Sequence, residues 1–358
     1  MNSSCGSRIK ALRKNFGSHH VDGILFSNMS NIRYLSGFTG SDGVLILSSD
    51  HAILLVDGRY ATQAEAESKI ASVHPYQNKM EGIEQGIAKL GIKEIGFEAG
   101  HISMETFQDL SRRLEGKGFV PLGDPLRFLR ARKDKNEIAV MKKAASIGSA
   151  AINALIREIK IGWTEKEAAL HLEMIARRGG ADQIAFETIF ASGAHSALPH
   201  AKPTNRKVQK GDFVVIDFGV RYQGYCSDET CTVAFGELTG DQKNAYRAVR
   251  QAHDESIGSV KAGTAAADVD ALTRRVLGKK YRDYFVHGTG HGVGLEVHEA
   301  PRLAPNSPDA LAEGMVVTIE PGLYYPGAWG IRIEDTVVVN KNGCDVITKM
   351  DKGLIIIE

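Results

Sequence analysis

His287-Gly288-Thr289-Gly290-His291-Gly292-Val293-Gly294-Leu295-Glu296-Val297-His298-Glu299 places three histidines and four glycines in thirteen residues. Imidazoles bind metals and move protons near neutral pH. Glycines let a backbone turn sharply or approach another group closely. Beyond the glycines, Val293, Leu295 and Val297 alternate with Gly294, Glu296 and His298. That is the two-residue period of a strand. The spacing therefore predicts a glycine-rich turn holding His291, with His298 a strand's length away.

Carboxylates cluster in similarly built segments on both sides. Upstream, Asp212–Gly219 and Cys226–Thr232 are β-rich runs around Arg221–Tyr225, which predicts a hairpin. A turn centred on Tyr222-Gln223 sets Asp217 opposite Asp228. Directly opposed carboxylates repel, and Asp217 follows the apolar run Phe213–Ile216, where an unpaired charge is costly. Downstream, Met315–Glu320 and Gly330–Val339 form a second strand pair, with Glu320 and Glu334 emerging from apolar surroundings. Four carboxylates and one imidazole are too many for a closed structural zinc site, which prefers four Cys and His ligands. They suit two divalent ions. An oxygen-rich shell with one nitrogen favours Mn²⁺, with Co²⁺, Zn²⁺ or Fe²⁺ by availability. Such a pair activates water and steadies an oxyanion, so the site reads as that of a hydrolase.

Around these hairpins the remaining C-terminal sequence reads as α+β. Asp134 and Glu137 open a long amphipathic helix, and Thr164-Glu165-Lys166-Glu167 opens another that ends near Gly179-Gly180. Ala185–Ala191 reads as a strand, and 192–202 as a loop carrying His195 and His200. Asp241–Val260 and Ala266–Leu277 read as helices, and Gly353–Ile357 as a closing strand. A boundary near Pro121–Lys135 separates a domain over 1–127 from one over 128–358. The first alternates strands (Gly23–Phe26, Gly43–Leu47, Ala52–Val56, Glu94–Phe97) with helices (Arg8–Phe16, Tyr60–Ser68, Met80–Leu90, Met104–Leu114), an α/β pattern. It carries no catalytic constellation; Asp57-Gly58-Arg59-Tyr60 is explained by a strand-to-helix turn.

The 358 residues suit two domains. A hydrophobic content of 43% with 24% charged residues is that of a globular protein, and a net charge of +1 gives no general pull toward nucleic acid or anionic membrane. The N-terminal ten residues are polar and no apolar run spans a bilayer. The four cysteines (Cys5, Cys226, Cys231, Cys344) show neither zinc spacing nor a disulfide framework, so a reducing, cytoplasmic setting is expected. Cys226 and Cys231, which flank Asp228, read as packing residues.

The ordered set Asp217, Asp228, His291, Glu320, Glu334 resembles the "pita-bread" metallopeptidases, peptidase family M24. The local motifs match it: Val215–Gly219, Ser227-Asp228, His287–Gly292, Val297–Glu299, Thr318–Gly322 and Arg332–Asp335. Tyr34–Phe38 and Asp57–Tyr60 resemble the N-terminal domain of the Xaa-Pro aminopeptidase (aminopeptidase P) and Xaa-Pro dipeptidase (prolidase) branch. The resemblance implies an α/β creatinase-like N-terminal domain followed by an α+β pita-bread (creatinase/aminopeptidase-like) catalytic domain. It implies two metal ions on the five residues, with Asp228 and Glu334 bridging, and Glu320 as general base. His298 and His200 are implied to contact the scissile carbonyl or the proline and to move protons, His287 to line the substrate pocket, and Arg332 to orient carboxylates. Cys231 departs from the pattern, since an Arg usually stands there. The expected activity is that of an Xaa-Pro aminopeptidase on proline-containing peptides, with a homodimeric assembly. A dipeptidase is the alternative; it needs a cation for the proline carboxylate, and Arg302 and Arg332 are the candidates. A non-catalytic peptide-binding protein and a creatinase-like amidinohydrolase share the fold, but they are expected to lack the metal set that this chain keeps.

Overall fold

The computed structural model describes residues 2–358, with side chains from Ser4 onward. The chain divides into two compact units, Met1–Leu129 and Arg130–Glu358.

In the first unit a six-stranded sheet runs in the order Ser72–Tyr76, Ala52–Asp57, Val44–Ser48, Gly23–Phe26, Glu94–Glu98, Gly118–Leu122. Leu25, Val44, Ile46, Ile53, Leu55 and Ile95 pack against Ile83, Ile87 and Leu110 of flanking helices. Two strands and the helix Met29–Ser36 are among the elements that lie outside the pattern read from sequence. Ser72–Tyr76 and Gly118–Leu122 are the edge strands, partly exposed, and each contains a proline. Edges tolerate proline because one side of the strand needs no ladder hydrogen bond. The helix Met29–Ser36 starts where the Asn28 side chain accepts from Ser30 N at 2.8 Å.

In the second unit a helix pair precedes each half of the site. Lys135–Glu158 and Glu165–Arg178 begin in complete capping boxes, Asp134 with Glu137 and Thr164 with Glu167. They cover a four-stranded sheet ordered Ile355–Ile357, Glu229–Phe235, Phe213–Phe218, Ile189–Ser192. Gly240–Ser259, capped by Thr239 with Gln242, and Ala266–Tyr281 form the second pair. A five-stranded sheet ordered Glu299–Leu303, Gly290–Gly292, Val316–Ile319, Asp335–Val339, Cys344–Val346 accompanies them. No helix among the described residues is long and apolar enough to cross a membrane.

The first hairpin corrects the register read from sequence. Asp217 faces Thr230, not Asp228. The turn residues are Gln223 and Gly224, with φ of 47° and 84°. Both lie in the left-handed region, as a two-residue type I′ turn requires, and glycine favours the second position. Moving the turn by one residue keeps the two aspartates on one face but makes them diagonal neighbours. Beyond Phe218 the ladder breaks, then resumes as Val220–Tyr222 against Tyr225–Cys226.

The second hairpin has the same plan. Val316–Ile319 pairs with Asp335–Val339, and Gly322–Tyr325 pairs with Trp329–Arg332. The break falls at Glu320-Pro321 on one strand and Ile333-Glu334 on the other. Pro321 has no N–H to give to a ladder. Asp228, Glu320 and Glu334 thus sit in breaks, where side chains are freed from the regular pleat.

The segment after His291 also departs from expectation. Gly290–Gly292 is itself the strand, and 293–298 turns back on itself. The cause is Glu299, whose carboxylate pairs with Arg130 and, at 3.2 Å, with Lys133. It also accepts from Glu296 N at 3.1 Å, while Gly294 N reaches Glu296 O at 3.0 Å. Those anchors bend the alternating run into a loop. His298 returns to His291, with ring centroids 4.3 Å apart. The glycines serve close approach: a Cβ on Gly290 would lie 2.0 Å from the Thr318 carbonyl oxygen, and one on Gly292 2.2 Å from that of Ala300.

Candidate metal centre

A cavity of about 660 Å³ in the second unit is lined by Asp217, Asp228, His291, Glu320 and Glu334. His200, His287, His298, Arg302 and Arg332 line the same cavity. Every site residue read from sequence is therefore brought to one place. Asp228, His291 and Glu334 come closest, with one ligand atom of each within 4.8 Å of the others. Asp217 and Glu320 stand beside that set, and a Glu320 oxygen is 3.3 Å from His291 Nε2.

The electrostatics call for a cation. Burial, then Glu334 and Asp217, hold the Asp228 carboxyl well above the usual range. Burial, then Glu320 and Asp217, do the same to Glu334. Glu320 is pushed up to about 8 by burial and Asp217, against the pull of Arg332. Asp217 Oδ1 is buried without a hydrogen-bond partner, while its Oδ2 accepts from Arg332 at 2.6 Å. Buried carboxylates without partners are costly, and a divalent ion removes that cost.

The histidines are set as neutral rings. Burial, then His298, lowers His291 to about 4. Its Nδ1 donates to Gly292 O at 3.1 Å, which leaves the Nε2 lone pair facing the acids. This is the posture of a metal ligand. Burial and Arg332 lower His287 to about 4 as well. Its Nδ1 donates to Gly288 O at 2.8 Å, and its Nε2 accepts from the Tyr324 hydroxyl at 2.9 Å. His287 thus lines the cavity with both nitrogens engaged. His298, exposed at the mouth, is lowered by burial and His200.

The two arginines differ. Arg332 is buried and committed: it donates to Asp217, to Tyr324 Oη at 2.6 Å, to Pro199 O at 3.1 Å and to Thr230 Oγ1 at 3.3 Å. Arg302 sits across from His291 in the adjoining strand, exposed, with no ion pair among the described residues.

Several supporting residues escaped sequence reading. Tyr324 couples His287 to Arg332. Thr230 Oγ1 donates to Glu334 at 2.6 Å. Asp270 holds Thr289 by its N–H and hydroxyl, both at 3.0 Å, and Arg274 holds the His287 carbonyl at 2.6 Å. Glu165 is wholly buried and gathers Ser192, His195 and Thr204, fixing both ends of the loop that carries His200. The Tyr324-Tyr325 pair behind Glu320-Pro321-Gly322 was the one visible signal; the others are ordinary polar residues until folded. Cys231 points into the apolar core, its thiol pushed up to about 12 by burial, and is a packing residue as expected.

The model of metallopeptidase family M24 matches residues 139–341, and that of the creatinase/prolidase N-terminal domain matches residues 8–132. The Xaa-Pro dipeptidase of Pyrococcus horikoshii is 36% identical over 350 residues, covering 97% of this chain and 98% of that protein. The solved structure of an Xaa-Pro dipeptidase from Bacillus anthracis superposes with a TM-score of 0.96 at 38% identity, over 99% of this chain and 100% of that one. An X-Pro aminopeptidase structure from Thermotoga maritima gives 0.87 at 35% identity, over 94% and 98%.

Proposed function

This chain belongs to metallopeptidase family M24 and is a metallo-exopeptidase; from that premise we propose that it is an Xaa-Pro dipeptidase. The reading takes the place of the aminopeptidase expected from sequence. One observation carries it: Arg302, without an ion-pair partner, lines the cavity that holds the acid cluster. A dipeptide brings a free carboxylate close to its scissile bond, and a concave site must meet that charge with a cation. Arg332, the other candidate, is spent on Asp217, Tyr324 and Pro199. The names of the P. horikoshii and B. anthracis relatives support the same reading.

Asp217, Asp228, His291, Glu320 and Glu334 are the residues that would hold two divalent ions, for which four carboxylates and one imidazole suit Mn²⁺. When bound, the ions supply Lewis acidity, making water a nucleophile at neutral pH and steadying negative charge on the scissile carbonyl. The chain's own residues do the rest. Glu320 takes the proton of the attacking water. The proline nitrogen carries no hydrogen and leaves poorly unless protonated, and the exposed imidazole of His298, with His200 beside it, is placed to deliver that proton. Arg332 fixes Asp217 and the Pro199 carbonyl, and so holds the loop bearing His200. Arg302 binds the proline carboxylate.

Hydrolysis of Xaa-Pro and of Xaa-Pro-Xaa peptides by Mn²⁺-loaded protein tests the reading. A higher kcat/KM on the dipeptide, lost after chelation, is expected. Preference for the longer peptide returns the aminopeptidase reading.

A further inference from the structure

Behind the acid cluster lies a second, fully buried set of charges that the mechanism does not use. In each hairpin the strand that follows the break opens with a second acid: Glu229 follows Asp228, and Asp335 follows Glu334. Glu229 and Asp335 bind one cation in common. Lys352 Nζ lies 2.6 Å from Glu229 and 3.3 Å from Asp335, and all three side chains are under a tenth exposed. The segment bearing Lys352 is docked on both acids by further bonds. Met350 N donates to Glu229 at 2.9 Å, and Ser149 Oγ donates to the other Glu229 oxygen. Thr348 Oγ1 donates to Asp335 at 2.5 Å, and His253 Nε2 lies 3.2 Å from its second oxygen. The segment therefore spans the first hairpin and the second.

We propose that Lys352 is a positioning residue that ties the two hairpins together from behind and so sets the spacing of Asp228 and Glu334. The claim rests on the metal-binding reading of those acids. Asp228 and Glu334 repel each other in the absence of a cation, and at the breaks the hairpins meet only through a few bonds, among them Glu334 N to Thr230 O at 3.1 Å and Thr336 Oγ1 to Asp228 O at 2.7 Å. A lysine that bridges the residue after each acid opposes that splaying. Removing its charge leaves Glu229 and Asp335 buried, with His253 facing Asp335 alone. They would move apart, and each is bonded through the backbone to a ligand. Cys231, the neighbour that carries no charge, cannot substitute for it.

The test is Mn²⁺ binding to metal-free protein, read by titration calorimetry and by metal content after gel filtration. Lys352→Met keeps the length and removes the charge. It is expected to weaken Mn²⁺ binding tenfold or more, and Lys352→Arg to restore most of it. Because Lys352→Met strands two buried acids and puts folding at risk, the pair Lys352→Met with Glu229→Gln is the second variant. It removes matched charges, so folding is expected to recover while Mn²⁺ affinity stays low. Wild-type affinity in either Met variant overturns the proposal. A wild-type chain that binds no Mn²⁺ overturns the metal reading itself, and with it this one.

Discussion

His291 Nε2 lies 3.3 Å from a Glu320 oxygen and 3.7 Å from one of Asp228, whereas the neighbouring His298 ring is exposed at the mouth of the cavity. The two imidazoles are therefore expected to fail differently. His291→Ala should lose bound metal. His298→Ala should keep its metal and lose roughly 10²–10⁴-fold in turnover, the usual worth of general acid–base help. Metal analysis beside kcat checks both, and reversed outcomes would mean the roles are exchanged. Arg302→Leu should raise KM for an Xaa-Pro dipeptide by roughly 10–100-fold, as expected for losing a charged hydrogen bond of about 1.5–3 kcal/mol. Its effect on a longer peptide should be small. The acids give a pH signature. Glu320 titrates near 8 in the metal-free fold, against 4.5 when free, and Asp228 and Glu334 are raised too. The native state then holds more protons than the unfolded one, so stability falls as pH rises through that window. His287 and His291, lowered to about 4, act oppositely but only below about 6.5. Between pH 6.5 and 8 the Tm of chelated protein should drop, and saturating Mn²⁺ should flatten the slope. These acids were legible in sequence as a cluster because acids in apolar strands need a reason to be there. Tyr324, Thr230 and Glu165 were not, because a hydroxyl or a helix-start glutamate looks the same whether it faces water or a ligand.

The hairpins show what periodicity resolves and what it leaves open. Both acid pairs were placed on adjacent strands from alternation alone. The first register was off because Gly224, not Gln223, takes the second turn position, which only backbone sign decides. Capping boxes at Asp134 and Thr164 gave two helix starts correctly, since their chemistry is local. The edge strands with Pro75 and Pro121 were hidden because proline argues against a strand until its edge position is known. The loop at 293–298 misled for a different reason: a strand pattern was overruled by the distant anchors Arg130 and Lys133 on Glu299. Gly290–Gly292 is an element sensitive to a single atom. Gly290→Ala forces a carbon to within 2.0 Å of the Thr318 carbonyl and should cost at least about 2 kcal/mol in urea unfolding. Gly258→Ala, near the end of the helix Gly240–Ser259 with nothing within 4 Å of the added carbon, should be neutral or stabilise by up to about 1 kcal/mol.

At the scale of the molecule, each unit has its own core, and the acids, histidines and arginines of the site all belong to Arg130–Glu358. A chain starting at Arg130 is therefore expected to fold and bind Mn²⁺, which titration calorimetry on the truncated chain checks. The α/β first unit and the α+β second unit were both evident from the order of elements, and the way the second unit repeats its plan of helix pair and hairpin was only hinted at. The separation of the two hairpins has a consequence during synthesis. The helices Gly240–Ser259 and Ala266–Tyr281 lie between them in the chain. Asp217 and Asp228 therefore leave the ribosome well before Glu334, by roughly 5–25 s at about 5–20 residues per second. For most of that interval, until Glu320 emerges, the nascent chain holds only Asp217 and Asp228, joined late by the His291 imidazole, too few donors to take a hard divalent ion from water. Metal capture must then follow translation of the second hairpin, and raising the free Mn²⁺ concentration cannot load a chain stalled before it.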